Sequence, residues 1–301
     1  MQDIAIIFNP KARSAKSQGL EERLREIAPE AALRMTQGPG DARRLAAEAA
    51  REGFRVIAAA GGDGTVNHVA NGIAGTAAVL GVLPFGTMNV FAKEHGIPGT
   101  LENAWAVLRG NAVKEIDLLA ANDTHFIQLA GAGFDAQVVK ETSWQSKMNL
   151  GPLSYLITAA RVAKRRPPRI FVEAGGRTSE GCFVIIGNGR YYGAKLVLFP
   201  KARTDDGLLD VLIFKSLGYL DLARYSAGVL LGSHTRMSGV EYFQVAEARV
   251  HGEGEIPAEV DGELSGTLPV TYRVGGKMKL CVPQISTFTN AGSYLPSPNS
   301  R

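Results

Sequence analysis

Only two cysteines occur in 301 residues, Cys182 in GCFVII and Cys281 in KLCVPQ. Their apolar neighbours imply buried free thiols rather than a disulfide framework, and no Cys or His spacing fits a metal site. No apolar run reaches the roughly 18 residues needed to cross a bilayer. The opening MQDIAIIFNP lacks the basic stretch and long apolar segment of a secretory signal. A soluble, cytoplasmic protein is expected, with any membrane contact peripheral and at the inner face. Aromatics make up 7% of the chain and the net charge is only +4. The dense basic stripe with interleaved aromatics that marks a nucleic-acid binder is missing, so no nucleic-acid partner is expected. The mild positive balance suits an anionic ligand or surface. There are no internal repeats. Glycine, by contrast, is abundant at 35 residues, without any collagen-like period. That implies many tight turns and a loop whose backbone closely approaches a ligand.

Strand and helix signals alternate through the first part of the chain. DIAIIFNP, FRVIAAA and AVLGVLP are apolar runs of strand length without polar alternation. Between them, residues 16–28, residues 41–52 with Asp41 as N-cap, and TVNHVANGI closed by Gly72 carry helical patterns. MNVFAKEHG and LENAWAVLRG add two more helices. Buried strands separated by helices predict a doubly wound α/β domain over residues 1–115, with a parallel sheet covered on both faces. The character then changes. EIDLLAAN, HFIQLAGAGF, RIFVEAGG, GCFVIIGNG, GLLDVLIF, QVAEARVHG, IPAEVDGE, PVTYRV and KMKLCVP read as strands, interrupted by helices near 152–165 and 219–231. This predicts a β-rich antiparallel sandwich over residues 116–290. Residues 291–301 read as a flexible tail.

The stretch VIAAAGGDGTVNHVANG places a carboxylate inside a glycine turn at the end of a buried strand. In an open α/β sheet this is where ligands bind. Gly61, Gly62 and Gly64 can bring bare backbone against a ligand, and the following helix presents free N–H groups to an anion. Asp63 would repel phosphate unless a bound Mg²⁺ were shared between them. It either manages metal-bound phosphates or caps its own helix. A second loop, LPFGTMN, follows the next strand, with Gly86 at the turn and Thr87 and Asn89 as hydrogen-bonding groups. The loop FNPKARSAKS after the first strand adds Lys11, Arg13 and Lys16. The pattern is neither a Walker loop nor GxGxxG.

GGDGTVNHVANG followed by GVLPFGTMNVFAKEHGIP resembles the catalytic domain shared by diacylglycerol kinases, sphingosine kinases and bacterial diacylglycerol kinase-like lipid kinases. The similarity continues through FIQLAGAGFDAQVV, GPLSYL, IGNGRYYGAKLVLFPKARTDDGLLDV and VDGE, in order over nearly the whole chain. The resemblance implies an N-terminal nucleotide domain related to those of phosphofructokinase and NAD kinase, and a β-rich C-terminal domain. It also implies ATP and Mg²⁺ as cofactors and phosphoryl transfer to a lipid hydroxyl.

Carried over position by position, the resemblance implies nucleotide contacts from Asn9, Pro10, Lys11, Ala12 and Arg13, with Arg13 where glycine is common. It implies further contacts from Thr36, from Gly61 through His68 (Gly61, Gly62, Asp63, Gly64, Thr65, Val66, Asn67, His68), and from Gly86, Thr87 and Asn89. His68 stands where glutamate is often found, and Val90 replaces the usual Asp. A structural Mg²⁺ is implied at the Asp206 carboxylate with main-chain oxygens of Arg203 and Leu208, although Asp-Asp-Gly before a strand is also an ordinary hairpin turn. Glu263, in a VDGE stretch that also reads as a turn, is implied as general base, with Asp63 as the other catalytic carboxylate. Asp135 is implied at the lipid head group, or is a plain strand-end acid. Lys164–Arg169 either meets anionic lipid or is a solvated helix end. The partner expected is a lipid at a membrane surface; a homodimer is neither required nor excluded. An NAD kinase-like or other small-molecule kinase and a catalytically inactive nucleotide-binding regulator are the alternative functions.

Overall fold

A computed structural model describes residues 3–10, 19–141, 167–193 and 196–284. In its first part, β1 (Ile4–Phe8), β2 (Ala32–Met35), β3 (Val56–Gly61) and β4 (Val79–Pro84) pair in parallel in the spatial order β2-β1-β3-β4. β1, β3 and β4 are buried along their whole length. Both faces are covered, which is why these strands read as continuous apolar runs. The covering helices are α1 (Leu20–Ile27), α2 (Asp41–Arg51), α3 (Asp63–Ile73), α4 (Val90–Glu94) and α5 (Leu101–Arg109). Each of the longer ones turns one stripe inward, as Ala42, Ala46 and Ala49 of α2 and Leu101, Ala104, Trp105 and Leu108 of α5 do.

Two local expectations are corrected. Gly72 does not close its helix, since α3 runs on to Ile73. A Cβ there would lie 2.4 Å from the Arg43 carbonyl oxygen and 2.8 Å from Ala46 Cβ. Gly72 is instead the point where α2 and α3 touch closely. Asp41 is not the N-cap of α2; Gly40, at φ 82°, is. The Asp41 carboxylate accepts the N–H groups of Gln37 and Gly38 at 2.8 and 3.1 Å and so pins the loop after β2.

The second part comprises β5 (Val113–Ala121), β6 (Thr124–Phe126), β7 (Leu129–Ala132), α6 (Phe134–Glu141), β8 (Ile170–Ala174), β9 (Arg177–Gly181) and β10 (Phe183–Gly187). There follow β11 (Tyr191–Tyr192), β12 (Leu196–Val197), β13 (Leu209–Phe214), α7 (Tyr219–Leu230), β14 (Val240–Val245), β15 (Glu247–Gly252), β16 (Pro257–Val260), β17 (Glu263–Thr267) and β18 (Val270–Cys281). One sheet runs β14-β13-β10-β7-β16-β17, all antiparallel. Its strands alternate cleanly. Val184 and Ile186 of β10 face the interior of the sandwich, while Phe183 and Ile185 face a second apolar layer that includes α6 and α7. The fold is thus an α/β domain with a mostly parallel sheet, joined to an antiparallel β sandwich.

The two parts share a sheet. PVTYRV and KMKLCVP, expected as two strands, form the single strand β18. It pairs antiparallel with β5 along nearly its whole length, from Tyr272 to Cys281, while its other edge meets β15 antiparallel at the start and β4 in parallel at the end, where Lys279 and Leu280 meet Val79 and Leu80. β5 likewise serves both cores: Ile116 and Leu118 pack in the first, Leu119 and Ala121 in the second. Met278, Leu280 and Cys281, late in the chain, complete the first core. Both cysteines are buried free thiols, and burial pushes Cys182 up to about 12 and Cys281 up to about 11. The helix expected near 152–165, the tail, and Lys11, Ala12, Arg13 and Lys16 lie outside the described residues. Asp135 falls within α6, with its side chain outside the described atoms.

Candidate active site

Parallel strands β2, β1, β3 and β4 lie side by side, so the loops after them line up along one sheet edge. Thr36 follows β2 and is buried, its N–H donating to the Phe8 carbonyl at 2.9 Å. Asn9 follows β1; its N–H donates to Ala60 O at 3.1 Å and its Nδ2 to Thr65 Oγ1 at 3.4 Å. The glycine turn follows β3, and the Phe85–Asn89 loop follows β4. These two loops touch through backbone: a Cβ on Gly86 would sit 2.4 Å from Gly62 Cα, and one on Gly62 would sit 3.2 Å from Gly86 Cα. Gly61 has no room either, since a Cβ would strike Thr65 Oγ1 at 2.4 Å. Gly64 differs, being exposed with nothing within 4 Å of a would-be Cβ. Of these four glycines, Gly62 and Gly86 let the loops close, Gly61 makes room for the Thr65 side chain, and Gly64 keeps the approach to the α3 N-terminus open.

Asp63 is the first residue of α3 but does not cap it. Its Oδ1 accepts the Phe91 N–H at 3.0 Å, an otherwise unpaired donor in the first turn of α4, and Gln128 Nε2 at 3.4 Å. Asp63 thus fastens one glycine loop to the helix that follows the other. Asn89, at φ 48°, closes its own loop: Oδ1 accepts Gly86 N–H and Nδ2 donates to Gly86 O, both at 2.8 Å. Thr87 is exposed at the tip. Val66 turns into the core and its N–H donates to Gly62 O, so it packs the helix rather than meeting a ligand. Asn67 is also buried, its Oδ1 accepting Asn71 Nδ2 at 2.8 Å.

The second domain reaches this edge through residues 127–129 and the β16–β17 turn. Asp261 (φ 48°) and Gly262 (φ 82°) make a two-residue hairpin in which both residues need positive φ, so the turn reading of VDGE holds. The Asp261 carboxylate accepts three backbone N–H groups, from Ile127 at 2.9 Å and from Gln128 and Leu129 at 3.0 Å each. Burial pushes its pKa up to about 6, against the pull of those three hydrogen bonds, and the nearby Asp63 adds to the rise. The next residue, Glu263, meets His68 of α3, with Oε1 3.2 Å from Nε2. The glycine-turn helix and the hairpin of the second domain therefore face each other across the seam between domains.

Residues the sequence reading passed over tie the seam together. Asn188 donates through Nδ2 to Asp117 O at 2.8 Å, and its N–H donates to Gln128 O at 2.9 Å. Asp117, fully buried, holds the 204–208 turn: its N–H donates to Thr204 O at 2.6 Å and its Oδ2 accepts Gly207 N–H at 2.8 Å. Lys277 Nζ lies 2.5 Å from Asp117 Oδ1. Glu94 of α4 accepts the N–H groups of Arg190 and Tyr191 at 2.8 and 3.2 Å. An acid inside the apolar run EIDLLAAN was the one signal available for Asp117.

Donor chemistry decides what each carboxylate could hold. Both Asp261 oxygens are taken by backbone N–H groups. Asp63 has one oxygen so engaged, and a single carboxylate beside a helix N-terminus is the kind of ligand Mg²⁺ takes, keeping waters as its other ligands. Asp206 is exposed in the 204–208 turn, where its Oδ1 accepts Leu208 N–H at 3.1 Å. With the Arg203 and Leu208 carbonyls, the companions the resemblance implies, it would make an all-oxygen set of the kind hard cations take. The neighbouring Asp205 is already paired with Lys114 at 3.0 Å and Arg203 at 3.3 Å. Among the described residues, no group of three His, Cys, Asp or Glu side chains converges as a metal site.

Comparison with known proteins follows the same division. Residues 3–121 match the diacylglycerol kinase catalytic domain family, and residues 128–284 match the YegS C-terminal NAD kinase beta sandwich-like domain family. A Bacillus subtilis protein named diacylglycerol kinase is 31% identical over 280 residues, covering 89% of this chain and 92% of that one. A Pseudomonas putida protein named "Probable lipid kinase YegS-like" is 42% identical over 186 residues, 60% of this chain; the chain spans 63% of that relative's length. A crystal structure of a candidate diacylglycerol kinase from Bacillus anthracis superposes with a TM-score of 0.79 at 25% identity, covering 94% of this chain and 95% of that one. The chain belongs to the diacylglycerol kinase-like lipid kinase family, in the form that couples the diacylglycerol kinase catalytic domain to a YegS-type β sandwich.

Proposed function

We propose that the protein transfers the γ-phosphoryl group of ATP to a lipid hydroxyl in the seam between its two domains. One observation carries the reading: the hairpin bearing Glu263 closes on the helix that begins in the glycine turn, through the His68–Glu263 contact at 3.2 Å. A base for the acceptor and a cradle for the donor then lie on opposite walls of one crevice.

In this reading the phosphates lie along Gly62, Gly64 and the α3 N-terminus, where backbone N–H groups and the helix dipole favour negative charge. Gly86 and Thr87 form the adjoining wall, and Asn9 and Thr36 border the nucleotide from the strands beyond. Bound Mg²⁺ would supply neutralisation of phosphate charge, with Asp63 the residue that holds it. Glu263 accepts the proton of the lipid hydroxyl as that oxygen bonds to the γ-phosphorus. The bond from the γ-phosphorus to the bridging oxygen breaks, and ADP leaves with the electron pair. Because an alcohol's pKa lies far above 7, Glu263 acts mainly by orienting the hydroxyl and taking the proton late. Asp206, with the main-chain oxygens of Arg203 and Leu208, would hold a second, structural Mg²⁺ away from the reacting atoms.

A lipid acceptor is supported by exposed apolar side chains on the second domain. Leu264, next to Glu263, is half exposed, and Leu220, Leu230 and Leu231 on and just after α7 are largely exposed. No helix among the described residues is long and apolar enough to cross a membrane, so the lipid would be met from the membrane surface. Incubation with radiolabelled ATP, Mg²⁺ and a total lipid extract tests the reading. Label appearing in a lipid phosphate supports it; ATP binding without transfer to any lipid would refute it.

A further inference from the structure

In the kinase reading the His68–Glu263 contact only brings the two walls of the site together; the acid–base chemistry of the His68 imidazole is left unused. His68 lies one helical turn beyond Gly64 on the same face of α3, half-buried, with Nε2 3.2 Å from Glu263 Oε1. The two residues belong to different domains and are far apart in sequence, so the contact forms only when the seam is assembled. Glu263 starts β17 directly after the Asp261–Gly262 turn, and Asp261 anchors that turn to three backbone N–H groups. The backbone of Glu263 is therefore held in place, and the freedom that remains is in its side chain.

We propose that His68 is a positioning residue for Glu263: its imidazole N–H holds one carboxylate oxygen against α3, and its protonation makes the pair an ion pair that opposes proton uptake by Glu263. This rests on Glu263 being the base of the proposed transfer. In the neutral state the imidazole orients the carboxylate as a hydrogen-bond donor. In the imidazolium state, a proton arriving on Glu263 would have to break a favourable charge pair. Turnover should then fall as His68 gains its proton.

The surroundings favour the protonated imidazole. The Glu263 hydrogen bond raises the His68 pKa above the usual imidazole value, with partial burial opposing it. Asp261, in the same turn, pushes the same way, while Arg43 of α2 pushes against it. From β6, His125 is held toward its neutral form by burial and by Arg273 and Arg43. β3 and β4 bring no charged residue to α3. α4 brings Lys93 and Glu94, the latter turned to the Arg190 and Tyr191 backbone.

The test is turnover against pH for the parent, His68→Gln and His68→Ala with radiolabelled ATP, Mg²⁺ and a total lipid extract, together with an NMR titration of the His68 ring in the full chain. The parent should show an acid limb that follows the His68 titration, with turnover reduced about fivefold below it, as a partly exposed ion pair of about 1 kcal/mol would give. In His68→Gln, which keeps a donor but cannot take a proton, that limb should disappear. In His68→Ala, with no donor, turnover should fall across the whole range. Glu263→Gln should lower the His68 titration, a readout independent of catalysis. If His68→Gln keeps the parent's acid limb, the inference fails while the kinase reading stands. If no lipid is phosphorylated at any pH, both fail.

Discussion

Replacing Gly86 by alanine tests the contact on which the nucleotide edge is built. Gly86 does not need glycine for its backbone angles; it needs glycine because its would-be Cβ lies 2.4 Å from Gly62 Cα and 2.7 Å from Asn89 Oδ1. Backbone cannot rotate away as a side chain can. Restoring an ordinary contact of about 3.5 Å requires the two loops to part by roughly 1 Å. Overpacking of this kind costs about 1–3 kcal/mol. Parting the loops also disturbs the Asn89 hydrogen bonds and the Asp63–Phe91 bond, so ATP affinity should fall about tenfold to a hundredfold at 1.4 kcal/mol per factor of ten. Urea unfolding and ATP titration measure the two effects. Gly64→Val is the contrasting case, because nothing lies within 4 Å of its Cβ and its φ is not positive. It should fold with stability within about 1 kcal/mol of the parent and still lose ATP binding, since the added methyls point into the open approach. A Gly86→Ala protein with unchanged stability and ATP affinity would refute the loop contact; a folded Gly64→Val protein with normal ATP affinity would refute the placement of the nucleotide.

Three other outcomes follow from the geometry. Asp261→Asn keeps one acceptor oxygen but turns an amide N–H₂ toward backbone N–H donors, so urea unfolding should show a loss of about 1–3 kcal/mol. The stability gap between the parent and Glu263→Gln should depend on pH. His68's folded pKa is raised, so the pair's contribution is full below the unfolded value of 6.5 and is lost as pH rises through the raised one. Thermal melts should therefore show a gap of under about 1 kcal/mol between pH 5 and 6.5 that closes in alkali, and a gap that widens with rising pH would contradict the pairing. Asp206→Ala should lose whatever stabilisation Mg²⁺ confers on the parent in thermal melts, whereas equal stabilisation of both proteins would remove Asp206 from the metal site.

Much of this fold is legible in the amino-acid sequence, because its main elements are specified locally. β1, β3 and β4 are buried on both faces and end in Asn-Pro, Gly-Gly and Pro-Phe-Gly, so strand and loop are marked together. β2 is not legible: ALRM is four residues long, lies at the sheet edge and is only partly buried. β18 reads as two strands because Gly275 and Gly276 look like a turn. They are a bulge, where the pairing with β5 shifts register at Val274/Gly276 and a Cβ on Gly275 would strike Ala120 Cβ at 2.8 Å. That one misreading hides the fact that the two domains share a sheet. At the site, the glycine turns and the VDGE hairpin are visible as motifs, but what Asp63 does is not. Its partners, Phe91 and Gln128, are 28 and 65 residues away. The buried polar links through Asn188, Asp117 and Lys277 likewise join distant segments, and no spacing reports them.

The central claim is that Glu263, from the second domain, is the base for a phosphoryl transfer whose donor is held by the first. The direct measurement is kcat and ATP affinity for Glu263→Gln and Asp63→Asn beside the parent. Glutamine keeps the size and the contact to His68 but removes the basicity, so kcat should fall about 10²–10⁴-fold with ATP affinity nearly unchanged. Asp63→Asn should weaken both turnover and Mg·ATP binding. Near-full turnover in Glu263→Gln, with Asp63→Asn inactive, would contradict the account and move the base to the glycine turn.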